Sequence, residues 1–129
     1  MIRERIVARM HDIKQTQTSV SKGTGIEYTA INTFLNNRKG MWFGRVQQML
    51  DFIGLTAEGE IAAESHQGIQ RAAWVEIRCR KLGVASVAKE TGVSYGTLNG
   101  FINNKGGMSI EKVERLMEVL NIELKPSRS

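Results

Sequence analysis

The sequence predicts an all-α protein built from two similar halves, and three observations support this prediction. Residues 19 to 55 and 86 to 122 align without a gap at an offset of 67, and 13 of the 37 aligned pairs are identical. Apolar residues in both halves recur at the spacing of short amphipathic helices. Glycine and asparagine residues separate these stretches, as is typical of turns between helices. A gap-free repeat of this length indicates an internal duplication.

The first helix of each half is predicted from a single apolar stripe. In residues 2 to 14 the stripe consists of Ile2, Ile6, Met10 and Ile13, and most charged residues lie off it. The second half places Ile69, Ala73 and Ile77 in register with the first three of these positions. Both stripes have the period of an amphipathic helix that covers the helices following it.

Two further helices, crossing at a tight turn, are predicted in each half. We expect them at residues 17 to 24 and 28 to 36, and again at 84 to 91 and 95 to 103. A glycine between the helices, Gly25 or Gly92, tolerates the positive φ that such a turn needs. The shared core would consist of Val20, Ile26 and Ile31, or of Val87, Val93 and Leu98. This pattern is typical of a helix-turn-helix.

A fourth helix should end each half, followed by an acidic connector and a frayed tail. Its inward residues would be Val46, Met49, Leu50 and Ile53 in the first half, and Val113, Leu116, Met117 and Leu120 in the second. Ser94 and Ser109 are well placed as N-caps of the third and fourth helices of the second half. We predict a first domain over residues 1–56, a linker over 57–68 with one helical turn near 60 to 64, and a second domain over 69–129 with a frayed tail around Pro126.

The charge distribution favours a polyanionic partner. The chain has 18 Lys and Arg against 13 Asp and Glu, a net charge of +5. Residues 1–56 carry a net +4, residues 57–68 a net −3 and residues 69–129 a net +4. Both halves are therefore basic, and the connector between them is acidic.

Several other functional classes are not favoured by the sequence. A single cysteine, Cys79, excludes an internal disulfide, and no cluster of Cys and His predicts a metal site. No apolar run is long enough for a membrane helix, and the first residues lack a signal-peptide core. No nucleophile with a base and no pair of carboxylates suggests catalysis. We therefore expect a cytoplasmic protein that is not an enzyme and has no cofactor and no membrane partner.

The stretch Gln17 to Asn36, QTSVSKGTGIEYTAINTFLN, resembles the helix-turn-helix signature of the Cro and lambda-repressor class, also called the XRE family. The shared features are the opening glutamine, a small residue at Ser21, the glycine at Gly25 and the apolar Ile31. The stretch from Val84 to Asn103 matches as well, except that Val84 replaces the glutamine. The resemblance implies two tandem domains of four to five short helices each, and double-stranded DNA as the partner.

The resemblance also implies which residues meet DNA. Asparagine can bond an adenine edge bidentately, so Asn32 and Asn99 are the best base-reading candidates, although they could instead satisfy a neighbouring helix. Phosphate candidates are Gln17, Arg38, Lys39 and Lys105. The complete set implied for the DNA-binding surface is Gln17, Thr18, Tyr28, Thr29, Asn32, Thr33, Asn36, Arg38 and Lys39 in the first half, and Ser94, Tyr95, Gly96, Asn99, Asn103 and Lys105 in the second.

The two halves differ at two places that bear on function. Gly96 and Gly100 remove two side chains from the presumed recognition face of the second half. That face would either lie unusually close to DNA or pack against protein. Trp42 and Phe43 occupy the positions of Ser109 and Ile110, and we expect Phe43 to pack in its own domain. Trp42 would either act as an interface residue, against the other repeat or a second chain, or be partly buried within its own domain.

The sequence thus favours a transcriptional regulator, of the repressor type found in phages and mobile elements, that occludes a promoter. Family members present two recognition helices about 34 Å apart, and a 12-residue linker could span roughly 40 Å. The protein could therefore act as a homodimer, or one chain could act as a pseudo-dimer. The alternative is an antitoxin or anti-CRISPR-like interaction protein, in which one repeat binds DNA and the second mediates protein binding or dimerisation.

Overall fold

A computed structural model describes residues 1–62 and 68–126. Two short strands, β1 (Leu55–Glu58) and β2 (Glu123–Pro126), accompany the helices. The described part contains eight helices: α1 (Ile2–Asp12), α2 (Gln17–Thr24), α3 (Tyr28–Leu35), α4 (Phe43–Ile53), α5 (Ile69–Cys79), α6 (Val84–Thr91), α7 (Tyr95–Ile102) and α8 (Ile110–Leu120).

The helical class predicted from the sequence is confirmed, and each half contains four helices. Every helix of the second half begins and ends 67 residues after its counterpart in the first. α2 and α6 have the predicted bounds, whereas α3 and α7 each end one residue earlier than expected. The two strands were not expected, because four residues are too few to show a clear alternation.

The turns repeat at the same offset as the helices. Gly25 and Gly92 end α2 and α6 in the left-handed region, with φ of 77° and 75°. The same region is occupied by three further pairs 67 residues apart: Lys14 with Lys81, Asn37 with Asn104, and Gly54 with Asn121. Because a positive φ is uncommon outside glycine, its recurrence at these positions shows that the backbone path is repeated as well as the helices.

Each half has the apolar core that the sequence predicted. All the predicted inward residues of the turn and of the fourth helices are buried, and so are Phe34 and its counterpart Phe101. The ends of α3 and α7 are held by side chains from the first helix of the same half. Arg3 Nε donates to the Phe34 carbonyl over 2.7 Å, and Gln70 Nε2 donates to the Phe101 carbonyl over 2.9 Å.

The two halves are joined by antiparallel pairing of β1 with β2. Ala57 lies opposite Leu124, Thr56 opposite Lys125, and Glu58 opposite Glu123. For these three pairs, adding 67 to the residue of β1 and subtracting 67 from the residue of β2 regenerates the same set, whereas the fourth pair, Leu55 with Pro126, has no such counterpart. Ala57 and Leu124 are themselves equivalent positions, so an approximate twofold axis passes between them. The buried residues of both halves form one continuous cluster.

A reciprocal exchange of helix caps obeys the same symmetry. The Gln47 Oε1 atom of α4 accepts the Ile69 N–H at the start of α5 over 3.1 Å. The Glu114 Oε2 atom of α8 accepts the Ile2 N–H at the start of α1 over 2.6 Å. The first amides of a helix have no partner within that helix, so an acceptor from outside stabilises them. Each half therefore caps the first helix of the other.

Aromatic packing also crosses between the halves. Phe43 is buried, and its ring packs edge-on against Phe101 of α7, with ring centroids 4.9 Å apart. The sequence predicted packing of Phe43 in its own half and did not predict this contact with the other half. The contact arises because the start of α4 faces the other half once β1 and β2 pair.

The start of the predicted linker is packed on the second half. β1 extends across the boundary expected between residues 56 and 57, and Ala57 and Ala62 are buried. The helical turn expected near 60 to 64 is not found over 60 to 62, and the rest of it lies outside the described residues. Up to Pro126, the tail expected to be frayed is strand β2, because its backbone pairs with β1; the rest of the tail lies outside the described residues.

The buried carboxylate of Glu76 holds this connector in place. Glu76 is fully buried and accepts the backbone N–H groups of Glu60, Ile61 and Ala62 at 3.2, 2.8 and 2.6 Å. The guanidinium of Arg80 lies 3.2 Å from the other side of the carboxylate. A Cβ on Gly59 would lie only 2.6 Å from Glu76 Cδ, so glycine permits this close approach.

Replacing Glu76 by Ala is expected to lower the free energy of unfolding by about 3 kcal/mol, because three connector N–H groups and Arg80 lose their acceptor. Urea unfolding at pH 7, followed by circular dichroism, measures this loss. Glu118→Ala, on the exposed face of α8, is the control and should change stability by less than about 0.5 kcal/mol. Equal losses in the two variants would show that the Glu76 contacts contribute little.

Candidate nucleic-acid interface

The outer face of α3 is the centre of the candidate interface. Ile31 and Phe34 bury the inner face of this helix, while Tyr28 is 49% exposed at its start. Thr29, Asn32 and Thr33 lie on the face away from these buried residues, and each retains exposed surface. In α7 the inner residues are Leu98 and Phe101, and the corresponding outer residues are Tyr95, Gly96, Asn99 and Gly100.

The two base-reading candidates are each held by a second asparagine one turn later. Asn36 Nδ2 donates to the Asn32 carbonyl over 2.8 Å and to Asn32 Oδ1 over 3.0 Å. Asn103 Nδ2 makes the same two bonds to Asn99, over 2.8 and 3.3 Å. An amide oxygen has a second lone pair and the amide nitrogen has two donors, so Asn32 and Asn99 can still bond a base edge.

The threonines of α3 present methyl groups and hydroxyl oxygens on the same outer face. The Thr33 hydroxyl donates to the carbonyls of Thr29 and Ala30, over 2.9 and 3.2 Å. Its proton is therefore used within the helix, and its oxygen is left as an acceptor. The second half has glycine at both threonine positions, so α7 shows bare backbone where α3 shows side chains.

The start of α2 is fixed by a capping box. The Thr16 hydroxyl accepts the Ser19 N–H over 3.1 Å, and the Ser19 hydroxyl accepts the Thr16 N–H over 3.0 Å. Thr18 is exposed in the first turn of this helix. Gln17 Oε1 is buried and has no hydrogen-bond partner among the described residues. A helix start with free amides and a glutamine is suited to a phosphate oxygen.

The start of α7 is capped by Ser94, as the sequence predicted. The Ser94 hydroxyl accepts the Thr97 N–H over 3.2 Å and lies 2.8 Å from Thr97 Oγ1. Ser94 is exposed at this position, so its hydroxyl borders the outer face of α7. Capping accounts for the serine without any external partner. Its assignment to the DNA-binding surface stays a prediction.

Basic side chains follow both recognition helices. Arg38 and Lys39 are exposed in the turn after α3, and Lys105 is exposed in the turn after α7. Sequence reasoning did not single out Arg45, which is exposed in the first turn of α4. Arg45 and Lys39 line an open cavity of about 470 Å³ beside α3, together with Thr29, Thr33 and Trp42. The signal that could have found Arg45 is its position one helical turn after Trp42.

Trp42 lies at the start of α4 and is 71% exposed. Its indole Nε1 atom would lie 3.3 Å from a Cβ placed on Gly107, so one edge of the ring adjoins the second half. Its other surface faces solvent beside Lys39 and Arg45. The role of Trp42 as an interface residue stays a prediction.

Within residues 1–62 and 68–126 no group of three or more His, Cys, Asp and Glu side chains could hold a metal ion. None of the helices that the structure describes is both long and apolar enough to cross a membrane.

Comparison with known proteins supports the functional reading of the second half. Residues 74–125 match the family model of the Cro/C1-type HTH DNA-binding domain. This range contains α6, α7 and α8 and most of α5 and β2, and therefore includes α7 with Tyr95 and Asn99. Searches of curated proteins and of solved structures found no match. Residues 74–125 are thus similar to helix-turn-helix domains of the Cro/C1 type, which supports DNA binding.

Proposed function

We propose that this chain is a sequence-specific regulator that binds double-stranded DNA with both of its halves, as a single-chain pseudo-dimer. The observation that carries the proposal is the approximate twofold relation between the halves. It equates α3, whose half has no family match, with α7, which lies in the matched domain. A DNA duplex has local twofold axes of its own, so two helices related in this way can enter successive turns of one major groove.

The contacts between the halves support a fixed spacing of the recognition helices. The exchanged caps involve α1 and α5, which pack on α3 and α7, and Phe43 contacts α7 itself through Phe101. The paired strands join the halves beyond α4 and α8. A rigid pair of reading helices loses less conformational freedom on binding than two tethered domains would. In this proposal the spacing depends on these contacts and not on the reach of the 12-residue linker expected from the sequence.

Base reading and phosphate contacts are assigned to different residues. Asn32 and Asn99 would each bond an adenine, while Tyr28 and Tyr95 would contact phosphate or a thymine methyl. Gln17, Thr18, Ser94, Arg38, Lys39 and Lys105 would fix the two helices to the phosphates. A chain bound in this way covers both half-sites at once, and it would repress transcription by occluding a promoter.

The second candidate is an interaction protein of the antitoxin or anti-CRISPR-like kind, in which the second half binds a protein or a second chain. The observation that favours it is the outer face of α7, where Tyr95 is 56% exposed beside two glycines. Such a flat surface with one aromatic residue also suits a protein partner. The basic net charge of both halves favours DNA.

Selection of bound sequences from a pool of random duplexes, together with the mass of the free and bound protein, separates these candidates. The proposal predicts one enriched site with two half-sites, bound by one chain per duplex. Enrichment of no sequence would contradict it and favour the interaction protein. A stoichiometry of two chains per two half-sites would replace the pseudo-dimer with an ordinary homodimer.

Replacing Asn32 by Ala is expected to weaken specific binding by about 1 to 3 kcal/mol, the usual value of a bidentate contact with a base. Fluorescence anisotropy with the selected duplex and a scrambled duplex measures the change in discrimination. Gln48→Ala, an exposed residue of α4, serves as the control for folding and general affinity. Unchanged discrimination would remove Asn32 from the reading face.

Replacing both Arg38 and Lys39 by Gln should weaken binding to every duplex to a similar degree, because phosphate contacts carry no sequence information. The slope of log affinity against log salt should become shallower by about 2 units. Titrations between about 50 and 200 mM salt measure this slope. Neutralising Lys89 and Lys125 instead makes the same change of charge elsewhere, and a comparable effect there would indicate a general charge effect.

Asn36 is expected to act through Asn32. Asn36→Ala should cost about 1 kcal/mol of specific binding, because the side-chain amide of Asn32 loses the hydrogen bond that orients it. The variant with both Asn32 and Asn36 replaced should lose less binding free energy than the two single variants added together, because Asn36 has no amide to orient once Asn32 is replaced. A double-mutant cycle with the selected duplex measures the coupling. Strict additivity would show that Asn36 contacts DNA independently.

A further inference from the structure

We infer that the DNA target of this chain is an asymmetric pseudo-palindrome, in which the half-site of α3 contains more specified base pairs than the half-site of α7. This inference rests on the proposed function and adds the residues that determine specificity. The two half-sites would share the base pairs read by Asn32 and Asn99. Only the α3 half-site would contain the additional base pairs met by Thr29 and Thr33.

The equivalence of the two recognition helices allows their faces to be compared residue by residue. α3 and α7 have the same length, the same offset from their turns and the same asparagine pair one helical turn apart. Tyr28 corresponds to Tyr95 and Asn32 to Asn99. Thr29 and Thr33 correspond to Gly96 and Gly100, so the difference is confined to one side of an otherwise similar surface.

Neither the backbone nor the packing requires glycine at these two positions. Gly96 and Gly100 lie inside a helix, and neither has the positive φ found at Gly25, Gly54 and Gly92. A Cβ added at either position would meet no atom within 4 Å apart from its chain neighbours and the backbone of its own helix. We therefore attribute the two glycines to what the outer face of α7 contacts, even though each glycine lowers the helical propensity of α7.

The chemistry of the two faces leads to different readings of DNA. A threonine methyl can contact the C5-methyl group of thymine, and a threonine oxygen can accept from a base amino group. Glycine has no side chain to distinguish one base pair from another. It does let the helix backbone approach the groove more closely, so α7 can remain bound while specifying fewer base pairs.

The residues around α3 also offer more contacts for DNA than the residues around α7. The first half has Gln17 at the start of α2, where the second has Val84. It also has Lys39 in the turn after α3, where the second has Gly106. The first half thus combines more reading side chains with more phosphate partners, and one orientation of the chain on an asymmetric site makes the most contacts.

The test compares the full-length chain with two reciprocal variants in the selection from random duplexes. Gly96→Thr with Gly100→Thr gives α7 the outer residues of α3, and both positions have open space for a side chain. Thr29→Ala with Thr33→Ala removes the additional contacts of α3 and keeps good helix formers there. We expect unequal half-sites for the natural chain, equal long ones for the glycine variant and equal short ones for the threonine variant.

Three synthetic duplexes make the expectation quantitative: the selected site, a palindrome of two long half-sites and a palindrome of two short half-sites with altered outer base pairs. The natural chain should bind the first two equally and the third about tenfold more weakly, a typical value for lost base contacts. The glycine variant should bind the long palindrome better than the selected site.

Different failures have different meanings. If the natural chain selects a site with two equal half-sites, or binds all three duplexes equally, the asymmetric reading is overturned while DNA binding stands. If the glycine variant folds but specifies no additional base pair, Gly96 and Gly100 do not set the length of the half-site. If the natural chain enriches no duplex, the proposed function fails, and the face of α7 is better explained as a protein-binding surface.

Discussion

Antiparallel pairing of β1 with β2 is the interaction on which the rest of the structure depends. Two strands of four residues are marginal by themselves, because so short a ladder buries little surface. Here Leu55, Ala57 and Leu124 are buried within the continuous core of both halves. The ladder is antiparallel, so α4 and α8 lead into it from opposite ends, with Leu55 opposite Pro126 and Glu58 opposite Glu123. From there the exchanged helix caps and the Phe43–Phe101 contact follow, and with them the relative position of α3 and α7.

The two halves share one backbone path, but equivalent positions in them make different contacts. Arg9 Nε donates to the Ile53 carbonyl over 2.8 Å and so closes the end of α4. Its counterpart in the second half is Glu76, which binds the connector instead. The carbonyl of Leu120 is then satisfied by Arg80, from the next turn of the helix, over 3.1 Å. The last carbonyl of the fourth helix is thus bonded by an arginine in each half, but the two arginines occupy different positions of the repeat. The two halves can therefore share a fold without identical residues.

The candidate interface combines rigid inner packing with a varied outer surface. Phe34 and Phe101 anchor α3 and α7, and their carbonyls are held by Arg3 and Gln70 of the first helices. Both helices can therefore present different outer residues without a change of position. Binding surfaces held on well-packed elements are more accurately placed than those on loops. This separation would allow one repeated scaffold to read the two unequal half-sites that we propose.

The sequence by itself determined the helices, their turns and the asparagine pairs on α3 and α7. These features depend on residues within about four positions of each other, through apolar periodicity, capping and the freedom of Gly25 and Gly92. Only the tertiary structure decided that β1 and β2 pair, that Phe43 crosses to Phe101 and that Glu76 holds the connector. Those contacts join residues distant in the chain, and the sequence of a four-residue strand does not indicate which segment it pairs with. Short-range interactions could be predicted from the sequence. Whether the halves form two tethered domains or one packed pair depended on contacts between residues distant in the chain.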